Sequence, residues 1–353
     1  MKILSVTLFN NPTEQGGIES FVRTLKKFYP QNLSFITFNL KKDIKALYEV
    51  KDIIEIGSIN FLFRISNKLL NNKLREFILL KKVKKLNPDV MIFSYPYEVK
   101  VLSKIKAKKI LVQHTGWSEY IRVYLHNNEN KKILKKNLDI FVVLSPYDRK
   151  VFCRGLNLDE IKVKVIRHSS QIELLEYKKE KNKELIMIAR IDNHSKRFDL
   201  AIRAMKKLSE FTLDIYGDGP DMEKCENIIK NENIKNVFLR GSTNKVQEKL
   251  DGSGIFIMTS DYEGYPITLI EAMRRGLPLI VRNTFEAAQD IVIDNGVLLE
   301  KEWDEDKFIE AVRKVYDNYE YYSENSKKLG ERHSPEVIKK EWDKLLEGID
   351  NGK

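Results

Sequence analysis

Two glutamates eight positions apart, Glu263 and Glu271, stand in the segment Thr259-Ser-Asp-Tyr-Glu-Gly-Tyr-Pro-Ile-Thr-Leu-Ile-Glu-Ala-Met273. The run before it, Gly254-Ile-Phe-Ile-Met258, reads as a strand, and 267–275 reads as a helix, so the acids straddle a strand-to-helix loop. Pro266 suits the first helical position, where a missing N–H costs nothing. The free N–H groups of a first helical turn form an anion site. The segment therefore offers a phosphate cradle with a carboxylate on either side. That is the chemistry a nucleotide sugar requires: N–H groups for the diphosphate, acids for sugar and ribose hydroxyls. A surface helix that happens to carry two glutamates is the plainer reading, and other segments must decide between them.

Four further strand ends carry polar groups. Gly16-Gly17-Ile18-Glu19-Ser20 follows the first apolar run, and two glycines at such a turn let backbone approach a phosphate. His114 opens His114-Thr-Gly-Trp117 and could hydrogen-bond a substrate hydroxyl or a leaving oxygen, or simply pack. Arg190 and Lys196 lie six residues apart across Ile191-Asp-Asn-His-Ser195, so both cations could converge on one anion, as a departing diphosphate demands. An exposed, solvated pair is the alternative. Gly217-Asp-Gly219-Pro220 makes a tight turn. Met222 stands where a dinucleotide fingerprint needs glycine or alanine, so an NAD site fails its own spacing.

The elements that must position these residues alternate. Strand candidates run over 3–9, 33–38, 90–94, 110–113 and 140–144, then over 185–189, 212–216, 237–239, 255–258, 279–281 and 297–299. Helical patterns such as 18–28, 198–208 and 267–275 lie between them. Such alternation implies parallel sheets covered on both faces. The strands are too many for one ordinary open sheet, and polar 169–183 interrupts the pattern. Two doubly wound α/β domains joined near 166–183 account for this better than an eight-stranded βα barrel. A last helix is expected from Pro335, with Val337, Ile338, Trp342, Leu345 and Leu346 on its apolar face.

Composition agrees with two ordinary domains: 353 residues, 42% hydrophobic, and no apolar run long enough to span a membrane. Residues 3–9 read as a first strand rather than a signal peptide. Cys153 and Cys225 are far apart and in no metal spacing, as in a reducing cytoplasm. Charge is uneven. Residues 1–165 hold 31 Lys and Arg against 15 Asp and Glu, a net of +16, whereas 166–353 hold 31 against 36, a net of −5. An anionic partner for the first half follows. Between Leu62 and Leu86 eight basic residues and one acid accompany apolar residues near helical spacing. That pattern fits a basic amphipathic helix on an anionic membrane surface, and equally a core-facing helix with a solvated lysine face. Nucleic acid is not expected, since no zinc spacing, RNA-binding strand motif or aromatic–basic interleaving is present.

Together these features resemble the GT-B glycosyltransferases, specifically the large retaining family 4 of nucleotide-sugar-dependent enzymes. The likeness is close over 184–300, where Arg190, Lys196, Gly217-Asp-Gly219-Pro220 and Glu263-Gly-Tyr-Pro with Glu271-Ala-Met stand in the family's order and spacing. It is looser at the Gly-Gly turn and His114. The resemblance implies two Rossmann-like domains facing across a cleft: 1–167 for the acceptor, 168–334 for the nucleotide sugar, and a tail, 335–353, crossing back to the first domain. It implies that Arg190 and Lys196 neutralise the donor diphosphate, Glu271 binds the ribose and Glu263 the donor sugar. The backbone of Gly264, Tyr265, Pro266, Ile267, Thr268 and Leu269 would touch sugar and phosphate. Gly16 and Gly17 would pack on the phosphates, Gly217 would line the donor site, Arg240 would lie near the nucleobase, and His114 would face the reacting centre.

The implied enzyme is a hexosyltransferase using a UDP-sugar, with no metal and no further cofactor, retaining anomeric configuration. Its acceptor would be a glycan or a polyprenyl-diphosphate-linked glycan of a bacterial surface polysaccharide, capsule or lipopolysaccharide. It would work in the cytoplasm, at the inner face of the membrane. The chain departs from the family at Ala189, where glycine is usual, and at Thr284-Phe-Glu-Ala-Ala-Gln289, where a glycine-rich stretch is usual. The alternative is a non-catalytic accessory subunit of the same fold. An epimerase lacks support in the ordered motifs, and a glycosidase using the two glutamates would not need the adjacent cations.

Overall fold

The computed structural model describes residues 1–14, 16–38, 48–56, 73–125 and 128–350. The chain divides into two units, Met1–Ile166 with Trp342–Lys353, and Arg167–Glu341.

In the first unit seven strands pair in parallel: β1 (Ile3–Val6), β2 (Leu33–Thr37), β3 (Ile53–Glu55), β4 (Val90–Phe93), β5 (Lys108–Val112), β6 (Ile140–Val143) and β7 (Val163–Val165). Their order is β3-β2-β1-β4-β5-β6-β7. The second unit holds β8 (Glu184–Ile188), β9 (Thr212–Tyr216), β10 (Val237–Gly241), β11 (Ile255–Met258), β12 (Leu279–Arg282) and β13 (Gly296–Leu299), also parallel, in the order β10-β9-β8-β11-β12-β13. Parallel neighbours need crossovers, and helices such as Gly17–Phe28, Phe198–Ala204 and Ile267–Arg274 supply them. Both units are Rossmann-like α/β folds.

Burial explains the sequence pattern. β1, β4, β11 and β12 are buried at every position, so they read as nearly continuous apolar runs, broken only by Ser5 and Arg282, rather than as alternation. Each unit has its own core. Val6, Phe93, Phe141 and Phe152 centre the first, and Phe198, Ile215, Ile257 and Phe308 the second. The polar stretch after Ile166 lies on the second unit: Leu175 N–H donates to Arg274 O at 2.8 Å, and the buried Lys179 ammonium donates to Leu250 O and Asp251 O.

The Pro335–Asp350 helix starts in the second unit and ends in the first. Its Trp342 is buried with its ring 6.0 Å from Phe21, and Asp343 accepts a hydrogen bond from the Tyr29 hydroxyl at 2.8 Å.

Of the basic segment, Lys73–Leu86 is helical, while 62–72 lie outside the described residues. Leu79 and Val83, one turn apart, are buried in the first core, and Lys81, Lys82, Lys84 and Lys85 are exposed. Leu79 and Val83 are thus taken up by the protein's own core, while Phe77 on the same helix is 64% exposed.

Candidate functional site

In the second unit, two loops at the carboxyl end of the sheet are fastened together. β8 ends at Ile188, and a single helical turn, Asn193–Lys196, follows the Arg190 loop. Its cap is Asp192, whose carboxylate accepts the His194 N–H. The turn after β9 packs directly on this loop. A Cβ on Gly217 would lie 1.9 Å from the Ala189 carbonyl oxygen, and one on Gly219 would lie 2.3 Å from that of Ile191. Gly217 also has φ +151°, open to glycine and strained for other residues. The glycines thus serve backbone-to-backbone packing that seats the Arg190 loop, supported by Ile191 N–H to Asp218 O at 3.0 Å. The Arg190 side chain is exposed, with no hydrogen-bond or ion-pair partner among the described residues.

The loop after β11 clasps the Lys196 turn. The Thr259 hydroxyl donates to the carbonyls of Lys196 (3.0 Å) and Arg197 (2.9 Å), and Asp261 N–H donates to Ser195 O at 2.7 Å. Arg197, at φ +51°, is bound by Asp199 and Asp261, and Asp261 also accepts from Arg282 at 2.6 Å. A left-handed non-glycine backbone is held there by two carboxylate partners and a threonine. Lys196 Nζ then meets Glu263 Oε1 at 2.6 Å, and the Ser260 hydroxyl donates to the same oxygen at 2.7 Å. Both side chains are largely covered, 21% and 12% exposed, so the pair is shielded from water more than a surface ion pair is. Two residues singled out in the sequence are direct partners.

Glu263 and Gly264 lead into the Ile267–Arg274 helix. Here the expectation for Pro266 is corrected. With ψ 117° it is the N-cap rather than the first helical residue, and the helix opens at Ile267. Proline has no side-chain acceptor, and no side-chain cap is present, so the first-turn N–H groups keep their capacity for an anion.

Tyr265 is buried. Its hydroxyl donates to Asp290 Oδ2 at 3.1 Å and lies 3.4 Å from His333 Nε2. His333 Nδ1 is 2.9 Å from the His168 carbonyl, which can only accept, so Nδ1 carries the proton and Nε2 competes with Asp290 for the single Tyr265 hydroxyl proton. Burial works to raise the Asp290 carboxyl, but the two hydrogen bonds from Arg167, at 2.7 and 2.8 Å, outweigh it and leave the carboxyl lowered. Burial pushes His333 down to about 3 and His168 to about 4, so both are neutral near pH 7. The Tyr265 side chain is therefore a post beneath the loop, and only its backbone is left to meet a ligand.

One turn into the same helix, burial pushes the Glu271 carboxyl up to about 7. It has no hydrogen-bond or ion-pair partner among the described residues.

Other predicted positions stand apart from this cluster. Arg240 is on the edge strand β10, 3.0 Å from Asp214 and over the Phe238 ring at 4.6 Å. In the first unit, Gly16 caps the Gly17–Phe28 helix, and the Glu19 carboxylate sits where a Gly16 Cβ would be, 2.0 Å away. A Cβ on Gly17 would meet nothing within 4 Å. The His114 ring packs against Phe21 at 5.1 Å.

Sequence reasoning missed Arg197, Arg282, Asp290, Arg167 and His333. Their roles arise from partners far along the chain, and no local pattern marks them. Among the described residues no group of three or more His, Cys, Asp or Glu is placed to hold a metal ion, and no helix is long and apolar enough to cross a membrane.

Residues 175–333 match the family model for glycosyl transferases group 1. An uncharacterized glycosyltransferase of Haemophilus influenzae is 23% identical over 348 residues, covering 95% of this chain and 96% of its own length. A solved lipopolysaccharide outer core galactosyltransferase in its apo form superimposes with TM-score 0.75 at 19% identity, covering 99% of each chain. The Anabaena protein HepE in complex with UDP gives TM-score 0.77 at 14% identity, covering 99% of this chain and 100% of that one.

Proposed function

With residues 175–333 belonging to glycosyl transferases group 1 on a chain of GT-B fold, we propose that this protein is a retaining, metal-independent glycosyltransferase of family 4 type, moving a sugar from a UDP-sugar to a glycan acceptor. The observation that carries this reading is the Lys196–Glu263 pair, held rigidly just before an uncapped helix start.

A sugar diphosphate presents one partner for each member of that pair. Its phosphates suit Lys196, the exposed Arg190 and the N–H groups of Ile267 and Thr268. Its sugar hydroxyls suit Glu263. As the glycosidic bond breaks, negative charge grows on the leaving diphosphate, and fixed cations and N–H dipoles stabilise it without reorganising. Arg190 and Lys196 thus take the part that a divalent cation plays elsewhere. The Glu271 carboxylate, raised by burial and without a partner among the described residues, suits two ribose hydroxyls, which would restore the hydrogen bonds that burial removed. The Arg240 strand end lies by the base.

UDP as the nucleotide is supported by the Anabaena complex, and a bacterial surface glycan or lipid-linked glycan as acceptor by the lipopolysaccharide galactosyltransferase. The exposed lysines of the Lys73–Leu86 helix, with Phe77 exposed beside them and Leu79 and Val83 engaged in the core, would hold the protein at the inner membrane face mainly by charge.

The test is a thermal-shift series against nucleotides and nucleotide sugars with and without EDTA. UDP or one UDP-sugar at 100 times its Kd adds about 2.7 kcal/mol, and the shift is expected to survive EDTA. Silence towards every nucleotide overturns the reading, and a shift abolished by EDTA overturns its metal-independent part.

A further inference from the structure

The carboxyl end of the first sheet carries a group of aromatic rings that the donor chemistry above does not use. Phe9 follows β1, Phe38 follows β2, and Tyr95 and Tyr97 follow β4. The Phe9 ring centre lies 5.6 Å from Tyr95, 5.6 Å from Tyr97 and 6.4 Å from Phe38. None of these contacts is a parallel stack: the planes meet at 77°, 51° and 77°. Phe9 remains 52% exposed. A single exposed phenylalanine is ordinary, but one collared by three rings at the ligand end of a parallel sheet is not.

Topology marks the place. From β1 the sheet grows outward through β2 to β3, and then returns to set β4 on the other side of β1. This reversal is where open α/β sheets bind ligands. A buried carboxylate fastens it: Glu98 accepts the N–H of Leu8 at 2.8 Å, of Ser94 at 2.9 Å and of Tyr95 at 3.0 Å, tying the end of β1 to the end of β4. The backbone that presents Phe9 and Tyr95 is thereby fixed.

Hydrogen-bonding groups rim the rings. The Tyr95 hydroxyl donates to Asn10 Oδ1 at 2.7 Å, Asn10 Nδ2 donates to Glu19 Oε1 at 2.6 Å, and the Tyr97 hydroxyl donates to Glu76 Oε1 at 2.7 Å.

We infer that this is a sugar-binding subsite, in which a pyranose lays its C–H face on Phe9 and its hydroxyls meet the Tyr95–Asn10 and Tyr97–Glu76 groups. A pyranose has an apolar face and a polar perimeter, which match an aromatic surface with phenol, amide and carboxylate around it. An alkyl chain would cover the same polar rim and give it nothing to bond. The subsite rests on the glycosyl-transfer reading in one respect: the sugar it holds is part of the acceptor.

Saturation-transfer NMR of the full chain with the methyl pyranosides of glucose, galactose and N-acetylglucosamine tests this. At least one is expected to receive saturation, strongest along one ring face. Phe9→Leu keeps an apolar side chain without the aromatic face and should lose that transfer at least ten-fold, while Phe9→Trp should retain it. Transfer to no pyranoside, or equal transfer to wild type and Phe9→Leu, overturns the subsite. UDP thermal shifts on the same samples separate the two ideas. Phe9-dependent pyranoside binding without any nucleotide response sinks the donor reading and leaves the subsite. A UDP response in both proteins without Phe9-dependent sugar binding does the reverse.

Discussion

The two sheets share one strand order for their first six strands, third-second-first-fourth-fifth-sixth, and each reverses between its first and fourth strand, β1 and β4 in one unit, β8 and β11 in the other. The side chains at the two reversals differ in kind. In the second unit they are charged: Lys196 on Glu263, and Arg197 and Arg282 on Asp261. In the first they are aromatic, over a carboxyl group that three N–H groups occupy and burial pushes up to about 8. A glutamate stands at each. Glu263 is paired with a cation that a ligand could take from it, whereas Glu98 is used up by the backbone. Topology says where a ligand goes, and these residues decide which ligand.

The hardest blow to this contrast falls on the charged reversal. Glu263→Gln or Lys196→Ala should lower transfer on the order of 10²–10³-fold with the fold retained, because under the proposed function each removes a fixed partner of the reacting donor. Steady-state turnover with the UDP-sugar found by thermal shift reads this, and near-normal turnover in either variant would end the site assignment.

At the other reversal the effect is on stability. The Glu98 carboxyl is raised from an ordinary 4.5 to about 8, so its favourable contribution is complete below about 4.5 and is lost as pH climbs through 8. The melting temperature should fall between pH 5 and 9, and Glu98→Gln should flatten that fall by roughly 5 °C. Identical pH profiles for the two proteins would show that Glu98 is already ionised in the folded state. Glu271, raised to about 7, acts with the same sign in the second unit over a narrower range.

The smallest expected change concerns the lysine face. Replacing Lys81, Lys82, Lys84 and Lys85 with glutamine should weaken co-sedimentation with anionic vesicles by about 1 kcal/mol in all, each exposed lysine contributing well below the roughly 1 kcal/mol ceiling of a basic residue at an anionic surface. Melting should be nearly unaffected, since all four are exposed. Unchanged co-sedimentation would leave this helix as a solvated flank of the first unit.

All eleven strands read from the sequence are present, because short runs rich in apolar residues between helical patterns mark parallel strands without knowledge of their partners. The two that escaped, Ile53–Glu55 and Val163–Val165, are the sheet's three-residue edges, partly exposed and set among charged residues. The placing of Lys196 and Glu263, which the structure pairs, was legible because a strand end and the following turn are contiguous in sequence. Their supports were not: Arg282 reaches Asp261, and Arg167 reaches Asp290, only after folding. Gly217 was read as a ligand contact, while its visible task is to admit the Ala189 carbonyl. Helical periodicity marked Lys73–Leu86 as amphipathic but not that Leu79 and Val83 would go to the core while Phe77 stays 64% exposed. Pro266 illustrates a finer limit, since proline suits both the cap and the first helical position, and only ψ distinguishes them.

The helix shared by the two units also orders events during synthesis. Arg167–Glu341 is one uninterrupted stretch, so every residue of its core is in hand once Glu341 has left the ribosome. The first unit is made earlier but is still lacking Trp342, the buried ring against Phe21, and Asp343, the partner of the Tyr29 hydroxyl. Domains usually fold as they emerge, the amino-terminal one first. In this chain the unit begun first is the one finished last, since its Trp342 and Asp343 contacts form only after the whole of the second unit has been made.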